Sequence, residues 1–219
     1  MGCVSAESTP PPELDKAYGP DGERVVHYAA TCHDSSILKA LIKQGCDITS
    51  RNNLYKISPL KQALRTGYWN NARILVDEII ERFPDPEERY QHINAKDYYG
   101  RSMLFRIIES STAPQDLTKA LVEGGIDLKL DRAYKGTPLM HAIQFQKPHT
   151  AALFVEHMTL EQLNYQTPAG NSAIKLAKES GYDELVDQMI EKGVTPPGII
   201  GKFKHTFKTL TGNNAKPNQ

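Results

Sequence analysis

The chain has 219 residues, 39% hydrophobic and 24% charged: the length of one domain and the composition of an ordinary globular one, which excludes a large multidomain enzyme and a disordered chain. Lys and Arg number 26, Asp and Glu 26, so the broad positive field needed for non-specific nucleic-acid binding is missing and nucleic acid is not an expected partner. Five of those bases and no acid fall in residues 192–219, leaving 21 bases against 26 acids before them, so a net of −5 is followed by a tail of +5.

In chain order, residues 1–19 read as a flexible segment with Pro10-Pro11-Pro12 as an extended spacer. Its opening, Met1-Gly2-Cys3-Val4-Ser5, resembles an N-terminal acylation signal. The resemblance implies that Gly2 takes myristate once Met1 is removed and that Cys3 takes palmitate, the second anchor that makes membrane binding durable. Ala6 stands where such signals usually have Ser or Thr. There is no apolar run of about 18 residues for a membrane span, and none after Met1 for a secretory signal. Cys3, Cys32 and Cys46 form neither an even disulfide set nor a C-x-x-C pair. A reduced, cytoplasmic setting is expected, at the inner face of the plasma membrane if the acyl groups are present.

From Gly22 the chain repeats itself. GERVVHYAATCHDSSILKALIKQGCD has a small pair, Ala29-Ala30, a polar break, then Leu38, Leu41 and Ile42 before Gly45-Cys46-Asp47. The same order returns at Ser58 (SPLKQALRTG, then Ala72, Leu75, Val76) and Ser102 (SMLFRIIES, then Leu117, Leu121, Val122). It returns again at Thr137 (TPLMHAI, then Phe154, Val155) and Ser172 (SAIKLAKESG, then Leu185, Met189, Ile190). With Arg24 as the first start, the spacings are 34, 44, 35 and 35 residues. Each unit reads as two short helices and a turn, with Ser or Thr capping the first helix, Pro tolerated in its first turn, and alanines where neighbouring helices approach closely. Pro84 and Pro86 in FPDPEERYQ are expected to end a helix and force a longer excursion.

This grammar resembles the ankyrin repeat, D-x-x-G-x-T-P-L-H-x-A-A followed by a helix ending in L-L and then G-A-D. Asn94 to Ser102 resembles its linking hairpin, Thr137-Pro138-Leu139 keeps its triplet, and His27 holds its histidine position, taken elsewhere by Lys61, Phe105, Met140 and Lys175. The resemblance implies an all-α solenoid of about five helix-turn-helix repeats with short connecting hairpin loops over residues 20–195, the repeats starting near 20, 54, 98, 133 and 168. It implies a monomeric, non-enzymatic protein-binding module whose hairpin tips and first-helix ends line one concave face. Carried over, the partner-binding residues are Tyr55, Ile57, Arg65, Tyr98, Tyr99, Arg101, Glu109, Tyr134 and Phe145. Aromatic and arginine side chains dominate binding energies at such faces; packing of the tip tyrosines on adjacent hairpins is the alternative. Trp69 reads as a packing residue in the turn between helices.

Other chemistry is sparse. His27, Cys32 and His33 are close in sequence, but no second ligand cluster accompanies them, so no metal is expected. No phosphate-cradling glycine loop is present and no cofactor is called for. Three functions follow: a membrane-tethered adaptor; a regulatory inhibitor or pathogen effector acting on a host protein through the same face; and, least favoured, a Cys32-dependent enzyme with His27 or His33 as base. Residues 196–219 form a basic amphipathic tail, with Ile199, Ile200, Phe203, Phe207 and Leu210 interleaved by Lys202, Lys204 and Lys208. It either caps the last repeat or lies on an anionic membrane.

Overall fold

The computed structural model describes residues 13–96, 102–129 and 136–196. Five pairs of helices run through them: α1 (Val25–Ala29) with α2 (Ser35–Lys43), α3 (Pro59–Thr66) with α4 (Trp69–Arg82), α6 (Leu104–Glu109) with α7 (Gln115–Glu123), α8 (Pro138–Gln144) with α9 (Pro148–His157), and α11 (Ala173–Glu179) with α12 (Asp183–Glu191). Two further helices, α5 (Pro86–Ile93) and α10 (Leu160–Leu163), lie between pairs. First helices pack on one another in the order α1, α3, α6, α8, α11, and second helices in the order α2, α4, α7, α9, α12. Two parallel rows therefore enclose one continuous apolar cluster from Val26 to Val194. Since each pair buries its apolar face on its neighbours, stability is a sum of short-range terms along the stack.

The helix starts follow the sequence. The side chains of Ser58, Thr137 and Ser172 accept from the backbone N–H three residues on, at 3.2, 3.3 and 3.4 Å. Pro59 and Pro138 occupy the first turn, where a missing N–H costs nothing. The close-approach alanines Ala30, Ala63, Ala142 and Ala177 are fully buried.

The segment after α4 differs from the expectation. The chain leaves α4 at Phe83, but Pro86 opens α5 instead of prolonging a loop, because the Asp85 carboxylate accepts from Glu88 N–H at 2.9 Å and Pro suits the first turn. α5 then reaches the following pair: Arg89 Nε donates to the Gly124 carbonyl (3.1 Å) and Asn94 Nδ2 to that of Gly125 (2.9 Å). Trp69 begins α4 instead of sitting in a turn, and its Nε1 donates to Thr112 Oγ1 at 3.0 Å, tying the second pair to the third.

The α5 contacts belong to a wider pattern in which a side chain from one segment of the stack satisfies carbonyls at a helix end of its neighbour. Asn71 Nδ2 donates to the carbonyls of Ala29, Ala30 and Cys32 at 3.2, 3.2 and 2.7 Å, where α1 ends. The Arg82 guanidinium reaches Ile42 and Cys46 at the end of α2, and Lys147 Nζ reaches Ser110 after α6. The last four carbonyls of a helix have no partner within it and carry negative partial charge, so amide and cationic donors are the groups that fit there.

The stack stops asymmetrically. Val76, Val122 and Val155 are buried by the next pair, whereas Ile190 at the equivalent place in α12 is 45% exposed among the described residues. The tail expected to cap this end lies outside them.

Candidate functional site

His27, at the centre of the first repeat, is fully buried. Its Nε2 donates to the Ile57 carbonyl at 3.0 Å and its Nδ1 accepts the Arg24 backbone N–H at 3.2 Å, which selects the neutral tautomer protonated at Nε2. Burial pushes its pKa below the ordinary value, against the opposing pull of the Ile57 carbonyl. Both ring nitrogens are thus occupied by backbone, and the ring pins the second hairpin to the first helix. The unfolded chain takes up this proton near pH 6.5 while the folded chain resists it, so stability is lost as pH falls below about 6.5, by at most about 1.4 kcal/mol per pH unit. Urea midpoints measured from pH 7.5 to 5 are expected to fall in the wild type and to fall less steeply in His27→Gln; equal slopes would remove this account.

Of the described cysteines, Cys46 is the more enclosed. Cys46 is buried, and burial pushes its thiol up to about 11 despite the nearby Arg82, so it stays a protonated apolar group at neutral pH. Cys32 is half-buried; its carbonyl caps onto Asn71, and neighbouring His33 faces Tyr68, Nδ1 to hydroxyl 3.5 Å. Among the described residues no three His, Cys, Asp or Glu side chains are grouped for a metal, and no helix is long and apolar enough to cross a membrane.

The exposed faces of the first helices and hairpins carry four of the nine expected partner residues. Tyr55 stands on the second hairpin, 38% exposed, beside exposed Leu54; Arg65 is exposed at the end of α3; Glu109 ends α6; Phe145, 42% exposed, ends α8. Glu109 and Phe145 meet at His141, which lies 3.2 Å from the Glu109 carboxylate and stacks tilted on Phe145 with ring centroids 4.5 Å apart, its other edge toward Phe105. Beside this cluster a groove of about 420 Å³ opens between α8 and the loop 167–171, lined by Phe105, Met140, His141, Gln144 and Pro168.

Ile57 corrects the expectation. It is 5% exposed and joins the core cap over His27. The side chain of Asn52 accepts its N–H at 2.9 Å, fixing the turn so that this position points inward. Tyr98, Tyr99, Arg101 and Tyr134 lie outside the described residues, as do Gly2, Cys3 and Lys202 to Lys208.

Sequence reasoning overlooked Tyr28, Arg106 and His141, one helical turn before the chosen helix-end positions. Tyr28 is exposed and its hydroxyl bonds the Glu23 carboxylate, which raises the phenol's pKa. Arg106 is exposed on α6. A spacing of three or four residues back from Glu109 and Phe145, and from Thr31 just after α1, identifies all three, because such residues share a helix face.

Residues 21–53 match the family model described as ankyrin repeat. A solved ankyrin repeat domain from Acinetobacter baumannii AYE is similar to the chain with a TM-score of 0.61 at 18% identity, over 83% of this chain and 87% of that one. No curated protein matches. The chain is thus an all-α ankyrin-repeat solenoid, with its first repeat also matched in sequence.

Proposed function

We propose that this protein is a non-enzymatic interaction module that holds a protein partner on the face built from the first helices and hairpin tips, and that Gly2 and Cys3 tether it to the inner face of a membrane. The observation that carries the reading is the row of exposed Tyr28, Tyr55, Arg65, Arg106 and Phe145 on first helices and their hairpins. Helices held by caps across repeats present these side chains with little freedom to lose, which is how rigid aromatic and arginine groups yield affinity. Repeat solenoids use such extended surfaces for binding.

A photo-crosslinking residue placed at Tyr55 or Phe145 in cells is expected to trap the same partner, while one placed at Lys119 or Glu156 on the second-helix row traps none. Equal capture from both rows would sink the binding-face assignment. Tethering is read separately. Intact mass of the full chain from a eukaryotic host should include a myristoyl group that Gly2→Ala abolishes, and an unmodified wild-type mass would remove the tether while leaving the face in place.

A further inference from the structure

The formal charge of zero hides a division between the two rows. The five first helices carry five Lys and Arg against two carboxylates, whereas the other seven described helices carry thirteen carboxylates against six Lys and Arg. The hairpin side adds exposed Arg51, Lys56, Lys96 and Lys129, while its described carboxylates, Asp21, Glu23, Asp47 and Asp127, are half-buried. On the second-helix side three of the bases are paired, Arg73 with Asp77 and Asp116, Arg82 with Glu78, and Lys119 with Glu123, and carboxylates remain in excess. On the first-helix side Arg65 and Arg106 are exposed and have no ion-pair partner among the described residues, and Glu109 is already engaged by His141. Lys61 is buried and adds nothing to the surface.

Resting on the protein-binding reading above, we infer that the partner is an acidic segment of another protein, laid along the first-helix face with its carboxylates on Arg65 and Arg106 and an apolar side chain in the groove beside His141. Guanidinium groups present planar forks that match carboxylates in pairs, and two of them on successive first helices set a spacing that a chain can follow. The groove between α8 and the loop 167–171 offers Phe105, Met140 and Pro168 to an apolar group, with Gln144 at its edge. A uniformly charged polyanion fits less well. Glu109 and Glu179 interrupt the positive stripe, so a polyphosphate meets repulsion there, whereas a protein segment can place a neutral residue opposite each. The carboxylates of the second-helix row also cancel the far field that draws nucleic acid or an anionic bilayer.

The test is selection of a random-peptide phage library on the full chain, with Arg65→Glu/Arg106→Glu, Arg65→Lys/Arg106→Lys and Tyr55→Ala/Phe145→Ala variants, and with oligothymidylate and phosphatidylserine vesicles as direct probes. All the altered side chains are exposed, so circular dichroism and thermal midpoints should stay at wild-type values. Enriched peptides are expected to be net acidic with an apolar residue, and to bind more weakly at higher salt. Charge reversal should weaken them by roughly tenfold per arginine, with a smaller loss for the lysine pair, which keeps the charge but not the fork. Face-dependent peptides that are neutral or basic would overturn the acidic-segment inference and leave the binding face standing. Oligothymidylate or vesicle binding that charge reversal abolishes would overturn it in favour of that polyanion. Absence of any peptide sensitive to Tyr55→Ala/Phe145→Ala would overturn the binding-face reading and this inference together.

Discussion

Phe154→Ala is expected to lower the unfolding free energy by about 4 kcal/mol, the largest effect of any single change considered. Phe154 lies mid-way along α9 and is fully buried, and α9 packs on α7, α8 and α12. Removing the ring therefore leaves a void shared by three neighbours that cannot all close on it. Because the stack is a chain of nearest-neighbour terms, the loss should concentrate in the fourth and fifth repeats: hydrogen exchange in α8 to α12 accelerates while α1 to α4 keep their protection. A urea titration showing under about 1.5 kcal/mol of loss, or uniform acceleration along the chain, would contradict the picture of α9 as a shared wall.

Asn71→Ala is expected to cost about 3 kcal/mol although it removes only a small polar side chain. Its Nδ2 serves three carbonyls at the end of α1, and its Oδ1 accepts from Ser35 Oγ at 2.6 Å, so one amide joins the first repeat to the second. With alanine the Ala30 carbonyl stays buried without this donor, while that of Ala29 keeps only the Cys32 backbone N–H, and an unsatisfied buried polar group costs roughly 1–3 kcal/mol. Asn71→Asp separates hydrogen bonding from shape. It preserves volume but places a carboxylate against three carbonyl oxygens, and should be less stable than the alanine variant at pH 7 and recover in acid as it protonates. If aspartate is tolerated as well as alanine, the side chain is a space filler and the capping account fails.

These two sites also mark how far the sequence was legible. Phe154 was found because apolar second-helix positions recur in phase with Ser or Thr starts, and that periodicity reflects burial on both neighbours. Asn71 carried no such signal: in a line of letters it is one polar residue after Trp69-Asn70, and its role depends on a helix end some forty positions earlier. Ile57 was misplaced for a related reason. Its place just after the loop, beside the first helix, suggests the exposed face, but the Asn52 side chain closes the turn and draws it inward against His27. α5 was read as an excursion because two prolines suggest breakage, yet Pro86 sits in a first turn where proline starts a helix, and its docking on Gly124 and Gly125 is a long-range event.

What the sequence determined by itself was the local grammar: where first helices begin, which positions are small or apolar, and that five such units follow one another. Those properties depend on capping, proline geometry and helical period, all of which act within a few residues. The tertiary structure alone decided which polar side chains stitch one repeat to the next, and that positive and negative charge part onto opposite rows. Helix ends and surface charges acquire partners only when distant segments are brought side by side.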